Sequence, residues 1–585
     1  MMRLDSLRKY DSLLVAVAVG LLSMPSFHAG LYGLDWTDTT YNFQEAINVV
    51  NGLRPHNGFS THVGGLSFLI EGVLLKYFGA DYFIHRALGF LIYVISVTLV
   101  YKIADRATKN RAYAILLAGV VVFYIAGIQS SFTFTSLALM LSLLIAYIFL
   151  NKNEYHNHLI HDALLGIASA SLLLIKHNIG LAVFGAIGLS YIINFLLSAD
   201  TNRSFKGVLV FATSFCLLFT VYFIYIGSGG INAFYNILLS SSELKGLSGS
   251  SFLSIIFSLI GVPDGIRAAT FCFFLALLIT VVLVLQFRMK IYFADTLFPL
   301  VVIIGPIFIA MSRLFASDIY NLDVIYFFIF HVLSIYLPLG LIYKYMHEEG
   351  SCGKNEISGI LSLYFIIEAT ILAHEASWPG PGYMAPLHAY LLATINLHLF
   401  GLSKKFERAI NYKAGLAAFV LIIIVISFLV PVRPYGVSAK QRNNYSSINQ
   451  RYFNNWPVSI NDKNTIKDLQ LIAKNNNSHS LFQLPWSPIL YSLLNLRNTT
   501  PYDLPYHDAL TIEEAKDLVA CLKKDMPDIL MIEPQYRVYD GPFPAKGMKY
   551  VYQIVDNEII KKNYRYLTLI RTDYKSWEVY LRTLP

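Results

Sequence analysis

About thirteen apolar runs crowd the first 430 residues, centred on 13–32, 83–101, 112–128, 132–150, 162–175, 179–198, 207–227, 268–287, 294–311, 323–343, 357–373, 384–401 and 414–430. An α-helix needs about 18–20 apolar residues to cross the hydrocarbon of a bilayer. Inside lipid every backbone N–H and C=O must be satisfied within the segment, so these runs can only be helices. That constraint fixes the fold class as a polytopic α-helical membrane protein. The run at 162–175 is the shortest of the set, and 66–78 and 252–262 are shorter still and read as interfacial or re-entrant helices. The run at 13–32 is longer than a signal peptide core and reads as a retained anchor. Only 14% of the residues are charged and 55% are hydrophobic, against about 25% charged in soluble domains. A simple soluble enzyme and a disordered chain are thereby excluded. Four scattered cysteines (Cys216, Cys272, Cys352, Cys521) imply no disulfide framework. The net charge of +8 is not gathered into a stripe, so no nucleic-acid partner is expected.

Cationic loop residues orient the bundle. With the N-terminus in the cytoplasm, the cytoplasmic loops hold 18 Lys and Arg and the exterior loops before residue 431 hold 5. An odd number of spans then puts the C-terminus outside. Residues 1–430 are expected to form the membrane domain and 431–585 a soluble exterior domain. The stretch Val432–Asn464 reads as a linker. After it, helices at Ile466–Lys474 and Glu513–Lys524 alternate with strands at Ser480–Leu484, Ile529–Glu533, Tyr566–Arg571 and Trp577–Arg582. Alternation of this kind predicts a small α/β domain.

The exterior loop 32–82 is long enough to suggest function. It holds Asp35, Asp38 and Tyr41, followed by Phe43, Ala46, Ile47 and Val50, apolar positions on one helical face. Such a helix is expected to lie along the membrane surface, ended by Asn51-Gly52. Asp38 at its start can cap the helix. It can equally serve as a carboxylate at the membrane boundary that takes a proton from a hydroxyl. Asp35 is the second candidate.

The pattern Asp38-x-x-Tyr41, Ala46, Gly52, Gly64-Gly65-Leu66 to Lys76-Tyr77-Phe78-Gly79 and Arg86 resembles the opening of the GT-C glycosyltransferases. It is most similar to the branch of protein O-mannosyltransferases and lipid A aminoarabinose transferases. Lys176-His177-Asn178-Ile179-Gly180 resembles a helix-end motif of these proteins, and Phe482-Gln483-Leu484-Pro485-Trp486 resembles their bacterial C-terminal part. The sequence departs from the pattern where Thr39 follows Asp38 in place of a second acid, and where His62 or Val63 stands in the place of the aminoarabinose transferases' phosphate-binding Lys. The resemblance implies a GT-C fold of about 13 spans with a C-terminal exterior α/β domain. It implies an integral protein of the bacterial inner membrane, with its C-terminal domain in the periplasm. It also implies transfer of a sugar from a polyprenyl-phosphate carrier to an acceptor hydroxyl on a glycan, lipid or protein, with inversion and with Asp38 as general base.

A leaving phosphate needs cations or hydrogen-bond donors. The candidates for donor and phosphate contact are His62, Arg86, Lys176, His177, Arg54 and Arg313, and Tyr41, His56, His374 and Glu375 are candidates for the acceptor side. For Lys176 the structural alternative is snorkelling to water, and for Arg86 an ion pair with Glu71 or Asp81. No metal ligand set is assigned: His156, His158 and His161 cluster in a cytoplasmic loop, away from the chemistry. The need for a divalent metal is left open. A polymerase or ligase of lipid-linked glycans is the neighbouring alternative. A transporter or flippase is the alternative from another class, but no internal repeat is visible and Glu368 is the main charge inside a span.

Overall fold

The computed structural model describes residues 2–36, 38–108, 111, 114–115, 118, 131–151, 158–197, 201–244, 359–370, 373, 444–485, 487–503, 511–534, 546–572 and 575–583. The expected spans at 268–287, 294–311, 323–343, 384–401 and 414–430, most of 112–128, and the division at 430/431 lie outside these residues. The N-terminal part runs α1 (Met2–Gly30), α2 (Asp38–Val50), α3 (Leu66–Phe78), α4 (Tyr82–Thr108), α5 (Phe134–Asn151), α6 (His158–Ile175), α7 (His177–Leu197) and α8 (Thr201–Leu244). Among the described residues, Tyr82–Ala107, Phe134–Asn151, His158–Ile175 and Phe205–Asn232 are long and apolar enough to cross a membrane. They make the chain an integral membrane protein. Shorter apolar helices cover Ser12–Met24, His177–Ile192 and Gly359–Thr370.

Two expected spans differ in length for identifiable reasons. The run at 162–175 extends back to His158, because the buried Asp162 carboxylate accepts the Tyr191 hydroxyl at 2.5 Å. The hydroxyl satisfies a polar side chain that hydropathy alone would exclude from a span. The span at 207–227 continues as helix to Leu244 across a break at Gly227, whose φ of 75° suits glycine.

Loop contacts gather at one end of the bundle. Gly64 N donates to Ile175 O at the end of α6, Asn42 Oδ1 accepts the Phe134 amide at the start of α5, and Asn178 Nδ2 reaches Ala373 O. Helices α6 and α7 turn sharply at Lys176, and a Cβ on Gly180 would lie 2.3 Å from Leu173 Cα. Only glycine allows that approach.

The C-terminal part begins with a hairpin, β1 (Tyr445–Gln450) and β2 (Phe453–Ser459), where the sequence reads as linker. Its pattern is masked by Asn and Ser, but its aromatic residues face a partner. Trp456 Nε1 donates to Gly33 O at 2.9 Å, and the Tyr82 amide donates to Tyr452 O at 2.9 Å. Next come α9 (Ile460–Asn475), β3 (Ser480–Leu484), α10 (Ile489–Leu494), β4 (Arg497–Asn498), α11 (Ile512–Lys524), β5 (Ile529–Ile532), α12 (Lys546–Ile554), β6 (Tyr564–Arg571) and β7 (Ser576–Arg582). The sheet order is β4-β3-β5-β7-β6, with β4, β3 and β5 parallel and β7 antiparallel to both neighbours. Strands β3 and β5 are buried throughout, as parallel strands covered on both faces must be.

One hydrophobic core crosses from the first loop into this sheet. Leu34, Trp36, Phe43, Ile47, Leu75 and Tyr82 pack with Phe453, Trp456, Ile466, Leu490 and Trp577. Trp36 and Trp577 meet edge to face at 5.4 Å. Helix α2 therefore does not lie along an open membrane surface as expected. Every residue from Thr39 to Asn48 is buried, because the C-terminal part covers the polar face that water would otherwise take.

Candidate active site

Asp38 is the first residue of α2; its side chain lies outside the described residues. Asp35 stands one turn before it and is buried. Its Oδ2 accepts the Thr39 amide at 2.8 Å and the Thr39 hydroxyl at 2.6 Å, which staples the entry to the helix. Thr39 Oγ1 also lies 3.4 Å from the Tyr82 hydroxyl.

Arg86 is buried beside this start. It donates to Gly30 O and to the Ser131 hydroxyl. The ion pair expected with Glu71 or Asp81 does not form. Glu71 is bonded instead to His85 Nδ1, both wholly buried, while Asp81 accepts the amides of Phe83 and Asn454. The i+14 spacing brings Glu71 of α3 against the face of α4 that carries His85, and Arg86 points one residue further round the helix.

The segment Ser131–Thr135 at the start of α5 gathers the other basic groups. Thr133 caps this helix, its hydroxyl accepting the Ser136 amide at 3.0 Å. Lys176 donates to Thr135 Oγ1 at 3.2 Å and its ammonium sits 5.5 Å over the Phe134 ring. At 8% exposure it is turned into the protein rather than snorkelling to water. His62 meets the same Phe134 ring edge-on at 5.8 Å and stacks on Tyr41 at 5.3 Å. The Tyr41 hydroxyl lies 3.0 Å from Thr61 Oγ1 and 3.4 Å from His62 Nδ1. Burial, reinforced by the carboxyls of Glu45 and Asp503, raises Tyr41 and keeps it a neutral phenol. Tyr41, His62, Lys176 and Arg86 thus surround one helix N-terminus, the kind of place where backbone dipoles and cations favour an anion.

The other sequence candidates fall elsewhere. Arg54 is exposed and donates to Tyr225 O at 3.1 Å, its guanidinium over the Tyr225 ring at 5.3 Å. His56 is buried, with Nε2 3.3 Å from Gly64 O. Burial pushes it down to about 4, so it is a neutral imidazole that braces the loop, not a phosphate-binding cation. The loop it braces is tight: a Cβ on Gly64 would sit 2.0 Å from Leu174 O. His177 opens α7. Arg313, His374 and Glu375 lie outside the described residues.

Sequence reasoning missed a buried polar network on the face of α2 that also carries Tyr41. Gln44 Oε1 accepts the Ser492 hydroxyl at 2.5 Å, and Gln44 Nε2 donates to Asn48 Oδ1 at 3.3 Å. Asn48 Nδ2 donates to Glu45 Oε2 at 3.2 Å and to Asp503. Gln483 Nε2 donates to the Asp503 carbonyl at 2.8 Å. The signal available was Glu45 itself, one turn after Tyr41 on the same face. Among the described residues no three His, Cys, Asp or Glu side chains lie together as a metal site.

No protein-family model matches the sequence, and no curated protein matches it. Solved structures similar to it include the archaeal oligosaccharyltransferase AglB from Archaeoglobus fulgidus in complex with an inhibitory peptide and a dolichol-phosphate. That similarity has 11% identity and a TM-score of 0.49, and covers 98% of this chain and 74% of that one. A second structure, the Archaeoglobus fulgidus oligosaccharyltransferase in complex with Zn and sulfate, is 11% identical at a TM-score of 0.48, over 97% of this chain and 73% of that one. Likenesses at this level do not by themselves assign a chemistry to this chain.

Proposed function

We propose that the chain is a GT-C-type membrane glycosyltransferase that moves a sugar from a polyprenyl-phosphate carrier to an acceptor hydroxyl at the exterior face. The observation that carries this reading is the convergence of Arg86, His62 and the buried Lys176 on the N-terminus of α5, beside the start of α2. Cations gathered at a helix N-terminus, where backbone N–H groups and the helix dipole already favour negative charge, suit an anion. A lipid phosphate lying in the bilayer would present that anion at this depth.

The reaction would run as a single displacement. The acceptor oxygen attacks the anomeric carbon, its proton passes to the Asp38 carboxylate, and the bond from that carbon to the phosphate oxygen breaks. Polyprenyl phosphate leaves with the electron pair, held by Lys176 and Arg86, and the anomeric centre inverts. Asp38 takes the base role because Asp35 is already engaged by two donors from Thr39. Its place on the first residue of a buried helix is a rigid mount. The bias of loop cations assigns the N-terminus to the cytoplasm and the C-terminal part to the exterior, and the resemblance assigns the membrane to the bacterial inner membrane. No step is routed through a metal.

The test uses purified full-length protein and a panel of polyprenyl-phosphate sugars, reading release of polyprenyl phosphate. Asp38→Asn should lower turnover by about 100- to 10,000-fold with donor binding kept. Full turnover in Asp38→Asn together with loss in Asp35→Asn would move the base one turn back. No turnover by the unmodified protein on any donor and acceptor would overturn the enzymatic reading.

A further inference from the structure

Glu45 and Asp503 come from opposite ends of the chain and meet in the buried seam between α2 and the C-terminal sheet. Glu45 is 0% exposed and Asp503 5%. A single amide group, Asn48 Nδ2, donates to Glu45 Oε2 at 3.2 Å and to Asp503 Oδ2. Asp503 Oδ1 accepts Asn498 Nδ2 at 2.6 Å. Glu45 Oε1 is buried with no hydrogen-bond partner among the described residues. The titratable groups that face the pair are Tyr41 from α2 and Tyr491 from α10, neither of them cationic. No Lys, Arg or His among the described residues contacts either carboxyl. Two carboxylates held this close in a dry site cannot both be charged without a large penalty, and two neutral amides do not cancel it.

We propose that Glu45 and Asp503 are positioning residues that share one proton, and thereby fasten the 497–503 loop onto α2 and hold the Tyr41–His62 face of the site. One proton leaves a single buried charge, which the Asn48 and Asn498 amides can solvate. The loop it fastens is also tied to the site directly, since the Ser60 amide donates to Pro501 O at 2.7 Å. Ser60 leads into Thr61 and His62. The pair lies one helical turn from Tyr41, which stacks on His62. Releasing the loop would therefore loosen the segment that carries His62 into that stack. The consequence for turnover rests on the function proposed above, whereas the docking itself does not.

The direction with pH follows from burial. Burial pushes Asp503 up to about 6, against the bonds from Asn498 and Asn48. Glu45 is raised by burial and then by the Asp503 charge. A carboxyl raised on folding contributes stability when protonated and loses it as pH rises through its folded value. The exposed carboxyls lose their protons at about pH 4, so docking weakens from there through about 6, where Asp503 titrates, and onward until Glu45 gives up the shared proton. His56, pushed down to about 4 by burial, acts in the opposite sense between there and the free imidazole value of about 6.5, and the amide variants leave it in place.

The test follows the fluorescence of the Trp36–Trp577 pair, which spans this seam at 5.4 Å, during denaturant release of the C-terminal part from the full-length protein. Trp36→Phe identifies the transition that reports the seam. In the unmodified chain its midpoint should fall as pH rises above about 6.5, where His56 is neutral whether the loop is docked or released. Glu45→Gln and Asp503→Asn keep hydrogen-bonding capacity without the second charge, so each should flatten the fall and exceed the unmodified midpoint at the alkaline end. Glu45→Ala should lower the midpoint at every pH. A midpoint independent of pH in the unmodified chain, or amide variants that track its slope, would overturn the proposal. If one amide variant does not fold, the other decides. No donor is needed, so a failed glycosyltransferase assay leaves this result standing.

Discussion

Single residues at the bundle end separate roles that composition leaves merged. Lys176 and Arg54 are both basic and both read from the sequence as exterior, yet one is buried against Thr135 and Phe134 and the other is exposed on Tyr225. The difference is the sharp α6–α7 turn, which aims Lys176 inward. Lys176→Met keeps most of the apolar stem and removes the charge. It should lower turnover by about 100- to 1,000-fold, as loss of a charge-stabilising group does, while the detergent-solubilised protein unfolds at an unchanged midpoint. An equal loss in Arg54→Met would argue against a site centred on α5. His62 is legible as a candidate because it replaces a Lys position in the resemblance. Its stacking on Tyr41 is visible only once loop 53–65 is folded back over α2.

At the scale of elements, α2 owes its burial to the C-terminal part as much as to the membrane helices. Its apolar residues Phe43 and Ile47 pack in the core shared with the C-terminal part, and its polar face is satisfied by Ser492 and Asp503. The hairpin β1–β2 closes the same helix start through Trp456 and Tyr452. Trp456→Ala removes a buried indole and the bond to Gly33 O. A loss of about 3–5 kcal/mol is expected, the range for large-to-small changes in a core. The test is chemical denaturation read at the hairpin, with protection of the Gly33 amide, bonded to Pro457 O, lost in parallel. Unchanged stability would mean the hairpin sits on the loop without supporting it. The hairpin was not legible because its strands carry Asn and Ser where alternation would show, and their partner is the first loop, more than 350 residues earlier.

For the whole molecule, the membrane part and the sheet do not have separate cores along this seam. Phe43, Ile47 and Trp36 belong to the same cluster as Trp577 and Leu490. Deleting residues 444–585 should therefore uncover a contiguous apolar face and abolish turnover. It should also make α2 the first site of proteolytic cleavage, because an apolar face without its cover is a liability. Intact α2 in such a truncation, with turnover retained, would show that the C-terminal part is only an accessory. The pH response belongs to the same seam, since Glu45 and Asp503 reach each other only across it.

The sequence alone determined the membrane-spanning class, because runs of about 18 apolar residues admit only helices in lipid. It also determined the strands Ser480–Leu484, Ile529–Ile532 and Ser576–Arg582 to within a residue, because buried strands read as short β-branched and aromatic runs. Tertiary structure decided what those elements face. The Glu71–His85 bond, the inward turn of Lys176, the burial of both faces of α2 and the meeting of Glu45 with Asp503 depend on contacts between distant segments. Periodicity records which face of a helix is apolar, and it carries no information about which distant surface will cover the polar one.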